Sequence, residues 1–109
     1  MFVVHKMSYK GNPKNLVKYK TMIDARKAAI DKMKKEGLKG KGYLDDDSTY
    51  VVRKYVDGRY GVVGWVTMGW QQDVKARFSM PFFVFLAGGH GSFSDPILLD
   101  SNGKTMRRL

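Results

Sequence analysis

Asp57-Gly58 is the feature that most narrows what this chain can become. It lies between two β-rich runs, Thr49–Val56 and Arg59–Met68, and a two-residue loop of this composition selects a hairpin turn with both central residues at positive φ. The same loop length sets a register. It pairs Val56 with Arg59, Tyr55 with Tyr60, Val52 with Val63 and Tyr50 with Trp65. Alternation along the strands then places Tyr50, Val52, Val63 and Trp65 on one face and Val51, Arg53, Tyr55, Tyr60 and Val62 on the other. Both faces are partly apolar, so both are expected to be partly covered.

Weaker signals extend the pattern. Asn102-Gly103 between Ile97–Leu99 and Thr105–Leu109 is a second hairpin turn. Phe2–Lys10 alternates, with Val3, His5, Met7 and Tyr9 opposed to Lys6, Ser8 and Lys10. Gly11-Asn12-Pro13 has turn chemistry, and Asn15–Lys20 reads as a returning strand. Pairing these two segments predicts an apolar face of Val3, Met7, Val17 and Tyr19, and a basic face of Lys6, Lys10, Lys18 and Lys20. Asp73–Met80 alternates as a half-buried strand. After Pro81, Phe82–Leu86 is apolar enough to be buried on both sides. Gly88-Gly89-His90-Gly91 reads as a loop.

One segment has a different period. Thr21 is placed as a helix N-cap with Asp24 in the capping-box position, and Gly37 as the C′ residue. The helix is expected over Met22–Glu36, with Lys34 and Lys35 at the negative end of its dipole. Met22, Ile23, Ala25, Ala29, Ile30 and Met33 fall within an arc of about 160°. Lys27, Lys34, Lys35, Asp24 and Asp31 lie outside it. Arg26 falls inside, and is expected to reach out past the first turn on its aliphatic stem. One amphipathic helix packed on a mainly antiparallel sheet built from hairpins is an α+β fold. The 109 residues suit a single small basic domain, 1–109.

Tyr19-Lys20-Thr21 followed by Asp24-Ala25-Arg26-Lys27-Ala28-Ala29 resembles the strand-to-helix step of many small α+β domains, the arm-type DNA-binding domains of integrases among them. In those domains the helix follows a three-stranded sheet. Here the clearest hairpin comes after the helix, so no family is assigned on these residues.

Composition removes most site chemistries. The chain has no cysteine, which excludes disulfides, thiolate zinc sites and cysteine nucleophiles and fits a reducing compartment. Of the two histidines, His5 falls on the apolar face of the first strand. His90 sits in a glycine loop without a Ser-x-Gly elbow or an HExxH partner. Zinc needs three or four ligands. Asp45-Asp46-Asp47 lacks the spaced carboxylates and distal Glu of a calcium loop and reads as a solvated turn. Glu36 is the single glutamate, so a glycosidase pair of glutamates is absent. Neither GLKGKG (Gly37–Gly42) nor GGHG is a P-loop. The expectation is a protein that is not an enzyme and holds no metal or cofactor. Its longest apolar run, Phe82–Ala87, falls far short of the ~18 residues of a spanning helix. Met-Phe-Val-Val-His-Lys lacks the order of a signal peptide. A cytoplasmic setting follows, or the host cytoplasm or virion for a viral protein.

Charge carries the functional expectation. Residues 1–42 hold 12 Lys/Arg and 3 Asp/Glu, a net of +9, while residues 43–109 hold 8 and 7, a net of +1. A field this one-sided favours polyanionic partners. Lys6, Lys10, Lys18 and Lys20 on the first hairpin, Lys27, Lys34 and Lys35 on the helix, and Lys39 and Lys41 after it are the candidate phosphate contacts. Arg53, Tyr55 and Tyr60 on one hairpin face are candidates for stacking on unpaired bases. The leading expectation is a non-enzymatic accessory protein that binds nucleic acid with weak sequence specificity. The alternative is a structural or interaction protein, either a small component of a viral or ribonucleoprotein assembly or an inhibitor docking on an acidic protein surface. That alternative draws on a second half rich in Phe82, Phe83, Phe85 and tryptophan, a surplus that would favour a homo-oligomer or larger assembly.

Overall fold

The computed structural model describes residues 1–37, 48–69, 82–89, 92–94 and 96–108. Its elements are β1 (Phe2–Lys6), α1 (Met22–Lys35), β2 (Tyr50–Val56), β3 (Arg59–Gly69), β4 (Phe82–Gly89), β5 (Ser92–Phe93), β6 (Ile97–Leu99) and β7 (Thr105–Arg108). The main sheet runs β1-β2-β3-β4-β6-β7, with β5 pairing β4 off that path. Every pair of strands is antiparallel. The fold is α+β, one helix on an antiparallel sheet, as the periodicities predict. Lys39, Lys41, Asp45–Asp47, the expected strand Asp73–Met80, Pro81 and His90 lie outside the described residues.

The Asp57-Gly58 turn forms as expected, with φ of 52° and 83° at the two residues. Next to it Val56 faces Arg59 and Tyr55 faces Tyr60. Further along, the register shifts between Val52 and Arg53, so that Arg53 opposes Val62 but Val52 opposes Gly64. Val63 is the extra residue, and the expected pairs Val52/Val63 and Tyr50/Trp65 do not form. Tyr50 faces Val66, and Val51 faces Trp65. One bulged residue moves everything beyond it to the opposite face. Trp65 therefore packs with Phe82, Val84, Leu86 and Leu98, away from Tyr50 and Val52.

The helix follows its capping signals. Thr21 accepts a hydrogen bond from the Asp24 N–H, Glu36 is the C-cap and Gly37 follows at φ 81°. Ala25, Ala29, Ile30 and Met33 are buried against Val4, Tyr50, Val52, Val66, Met68, Phe83, Phe85 and Leu99. Ile30 and Met33 each contribute about 1.5–3 kcal/mol by leaving water. Ile23, expected in the apolar arc, is exposed. The apolar run after Pro81 is buried on both faces: Phe83 and Phe85 lie under α1, and Phe82, Val84 and Leu86 on the far side. The phenylalanines counted toward a surplus thus lie inside this chain.

Arg26 takes an unexpected course. Its guanidinium lies over the Phe85 ring, 4.3 Å from the centroid, and donates to Gly103 O at 3.3 Å and Thr105 Oγ1 at 3.2 Å. It ties α1 to the β6–β7 hairpin. That turn is closed by Asp100, whose Oδ1 accepts from the N–H groups of Asn102 and Lys104.

The first hairpin is the main correction. β1 ends at Lys6, where the Tyr9 N–H turns back onto the Lys6 carbonyl. Pro13–Asn15 form a turn of 3-10 helix capped by the Asn12 side chain, so Asn15–Lys20 is not a strand. A single bridge, Phe2 to Tyr19, joins the two segments. The full ladder of β1 is with β2, from Phe2↔Lys54 to Lys6↔Tyr50. This partner lies far along the sequence, and Val3, Val4 and His5 on the ladder are buried. Met7 and Val17, expected on an apolar face, are exposed. Gly88-Gly89 is a second correction, because both residues pair with β5 as strand rather than loop.

Candidate functional site

Because Asn15–Lys20 is not a strand, Lys6, Lys10, Lys18 and Lys20 do not share a sheet face. Lys6 turns to Glu36, 2.8 Å from its Oε2. Lys10 is exposed, beyond the turn that follows β1. Lys18 and Lys20 flank Tyr19, whose ring packs on the core, and the two lysines line one wall of an open groove. The opposite wall is a stripe of α1 at helical spacing: Asp24, Lys27, Ala28, Asp31, Lys32 and Lys35. The groove is about 540 Å³.

This groove gathers five lysines, Lys18, Lys20, Lys27, Lys32 and Lys35, against two carboxylates. Lys27 is bound to Asp31 at 3.0 Å, which offsets one of the negative charges. Lys18 is held by its own segment, with Nζ donating to the Lys14 carbonyl at 2.7 Å and to that of Leu16. Lys20, Lys32 and Lys35 are exposed. Of the lysines expected on the helix, Lys27 and Lys35 belong here, whereas Lys34 points away, 6.0 Å from the Phe83 ring. Lys32 belongs to the groove although its sequence position did not single it out. Its signal was the spacing of four and eight residues from Ala28 and Asp24, which puts all three on one stripe.

Beside the groove a second cluster closes on itself. Glu36 accepts from the Tyr50 hydroxyl and from Lys6. Burial works to raise the Glu36 pKa, but the bonds from Lys6 and Tyr50 and the charges of Lys6 and Lys32 outweigh it, so the carboxyl sits below its ordinary value. Burial and the same bond push the Tyr50 hydroxyl up. These bonds tie α1 to β1 and β2.

The β2–β3 hairpin carries the remaining candidates. Arg53 is turned inward. Its Nε donates to His5 Nε2 at 2.9 Å and its Nη1 to the Tyr60 carbonyl at 3.0 Å. His5 Nδ1 lies 2.7 Å from the Lys6 carbonyl. With Nε2 accepting, Nδ1 carries the proton and donates, which is the neutral ring. Arg53 is therefore a bracket for β1 and β3 rather than a free cation. Tyr55 and Tyr60 lie side by side across the strands, as their pairing predicts, with ring centroids 4.9 Å apart.

The His5 bracket has a pH signature. Burial, and secondarily the Arg53 charge, hold its pKa below the ordinary 6.5 despite the favourable bond to Lys6. The unfolded chain then binds the proton more readily than the folded one. The stabilisation is fully present above about pH 6.5 and is lost as pH falls from there through the folded-state value. Urea unfolding between pH 5 and 7.5 should show stability falling toward acid, and His5→Gln should remove that step. A variant with the same pH dependence as the parent would show that His5 does not titrate in this way.

Among the described residues no three histidines or acids gather as a metal would require, and no helix is long and apolar enough to cross a membrane. Comparison with protein-family models, curated proteins and solved structures returns no match.

Proposed function

We propose that this protein binds nucleic acid through phosphate contacts in the groove between residues 18–20 and α1, with weak sequence specificity and without catalysis of its own. The observation that carries the reading is the convergence of five lysines from two separate segments on one open channel. Helix and bridge segment are both packed on the core, so the two rows of lysines face the same channel from fixed backbones. Phosphate contact needs no more than this, and it supplies most of non-specific affinity.

The test is a salt titration of binding to a fluorescent oligonucleotide, read by anisotropy. Lys20, Lys32 and Lys35 are exposed, so changing all three to Gln should leave the thermal midpoint in place. Affinity should fall, and the plot of log K against log salt should flatten by about 0.7–0.9 per lost contact. If affinity and slope stay at the parent values, the groove is not the phosphate site. Recovery of a single acidic protein from a nuclease-treated lysate, by the parent but not by the triple variant, would move the reading to a protein partner.

A further inference from the structure

We infer that the nucleic acid taken by this groove is single-stranded, and that its bases stack on the Tyr55–Tyr60 pair beyond the groove's Lys18 end. The inference rests on the groove being a phosphate site and adds the class of strand.

Tyr55 stands exposed beside the half-buried Tyr60 at the outer end of the β2–β3 hairpin. Tyr55 is 45% exposed and Val56 beside it 49%. Their strand has already left the core at this point, since the burial of β2 falls from complete at Val52 to exposed at Lys54. Two rings inclined at 57° cover at most one face of each other, and with Lys18 lying over Tyr60 it is the exposed Tyr55 that offers a flat partner a ring face. Their placement is not left to chance. Arg53 holds the Tyr60 carbonyl, and the Asp57-Gly58 turn sets the two rings opposite each other.

Continuity links the pair to the groove. Lys18 lines the groove, and its Nζ stands 5.8 Å from the centre of the Tyr60 ring. A strand whose phosphates follow Lys20 and Lys18 passes from cations directly onto aromatic surface. In a duplex the base faces are stacked on one another and closed to such rings. Only an unpaired strand can use the lysines and the tyrosines together, and stacking of this kind tolerates any base.

Three probes of equal length separate the terms: a single strand, its duplex, and a single strand with abasic sugars at the internal positions, which keeps every phosphate. Binding of each to the parent, to Tyr55→Ala and to the Lys20, Lys32 and Lys35 triple variant is read by anisotropy. The parent should bind the intact strand roughly 5- to 150-fold more tightly than the abasic strand for each base stacked. Tyr55→Ala should weaken the intact strand by that factor and leave the abasic strand and the duplex unchanged. Tyr55→Leu, which keeps apolar bulk without a ring, should behave as Tyr55→Ala while its thermal midpoint stays at the parent value. Equal affinity of the parent for intact and abasic strands overturns the inference, as does a loss by Tyr55→Leu that is the same for all three probes. If those results come with a triple variant weakened on every probe, the groove still stands and only the stacking falls. If the parent binds none of the probes, both readings fall.

Discussion

Gly103→Ala is expected to destabilise the protein by about 2–5 kcal/mol, well beyond the about 1–2 kcal/mol expected for Gly58→Ala. The two glycines have nearly the same backbone, φ of 80° and 83°, so the left-handed penalty is common to both. Their surroundings differ. A Cβ on Gly58 meets nothing within 4 Å, whereas on Gly103 it falls 2.7 Å from Lys27 N and 2.8 Å from Ile23 O. Those two atoms are the donor and acceptor that α-helical geometry joins four residues apart. The added methyl meets backbone that cannot rotate away, so the β6–β7 turn must lift off α1. Arg26 would then lose its bonds to Gly103 and Thr105. Urea unfolding of the two variants decides the matter, and equal losses would show that the turn does not sit on the helix.

Phe85→Ala should cost about 3–5 kcal/mol, the range for deleting a buried aromatic ring, out of the 5–15 kcal/mol that a typical domain has in total. Phe85 is 2% exposed and joins three parts of the fold. On one side Gly64 leaves room for its ring, since a Cβ there would lie 2.6 Å from Phe85 Cε1 and 2.7 Å from the Leu86 carbonyl. On another it carries the Arg26 guanidinium. Burial depresses the Arg26 pKa, and the ring face and two oxygen acceptors compensate for part of its lost hydration. A double-mutant cycle with Arg26→Ala isolates the ring–cation contribution, expected at about 0.5–2 kcal/mol. A coupling of zero would mean that Arg26 acts only through its bonds to the hairpin.

How far the candidate site was legible differs residue by residue. The charge imbalance of the first 42 residues was plain, and so was the cross-strand partnership of Tyr55 and Tyr60, which depends only on a two-residue loop. The grouping of the lysines was not. Alternation groups Lys6 and Lys10 with Lys18 and Lys20 through a hairpin that does not form, and charge alone does not single out Lys32. Arg53 looked like a free cation on a strand face until β1 arrived beside it with His5. For Arg53 the deciding neighbour, His5, is 48 residues away and lies in no local window, whereas Lys32 and the turn at Pro13–Asn15 are matters of local spacing and capping.

The same division runs through the fold. The two glycine turns, the extent of α1 and the two-sided burial of Phe82–Leu86 were determined by the sequence itself, because each depends on backbone dihedral cost, capping within one helical turn or a continuous apolar run. The tertiary structure decided three things: that β1 forms its full ladder with β2, that Val63 is left unpaired as a bulge while packing on the core, and that Arg26 crosses to the β6–β7 turn. β1 has two edges: β2 takes one of them along the whole strand, with Val3, Val4 and His5 buried, while the other meets Asn15–Lys20 only at Phe2 and Tyr19, and the bulge puts Tyr50 and Val52 beneath the helix while Trp65 fills the opposite face. Such choices compare the burial available in alternative whole arrangements, a quantity that exists only once the distant strands are in place.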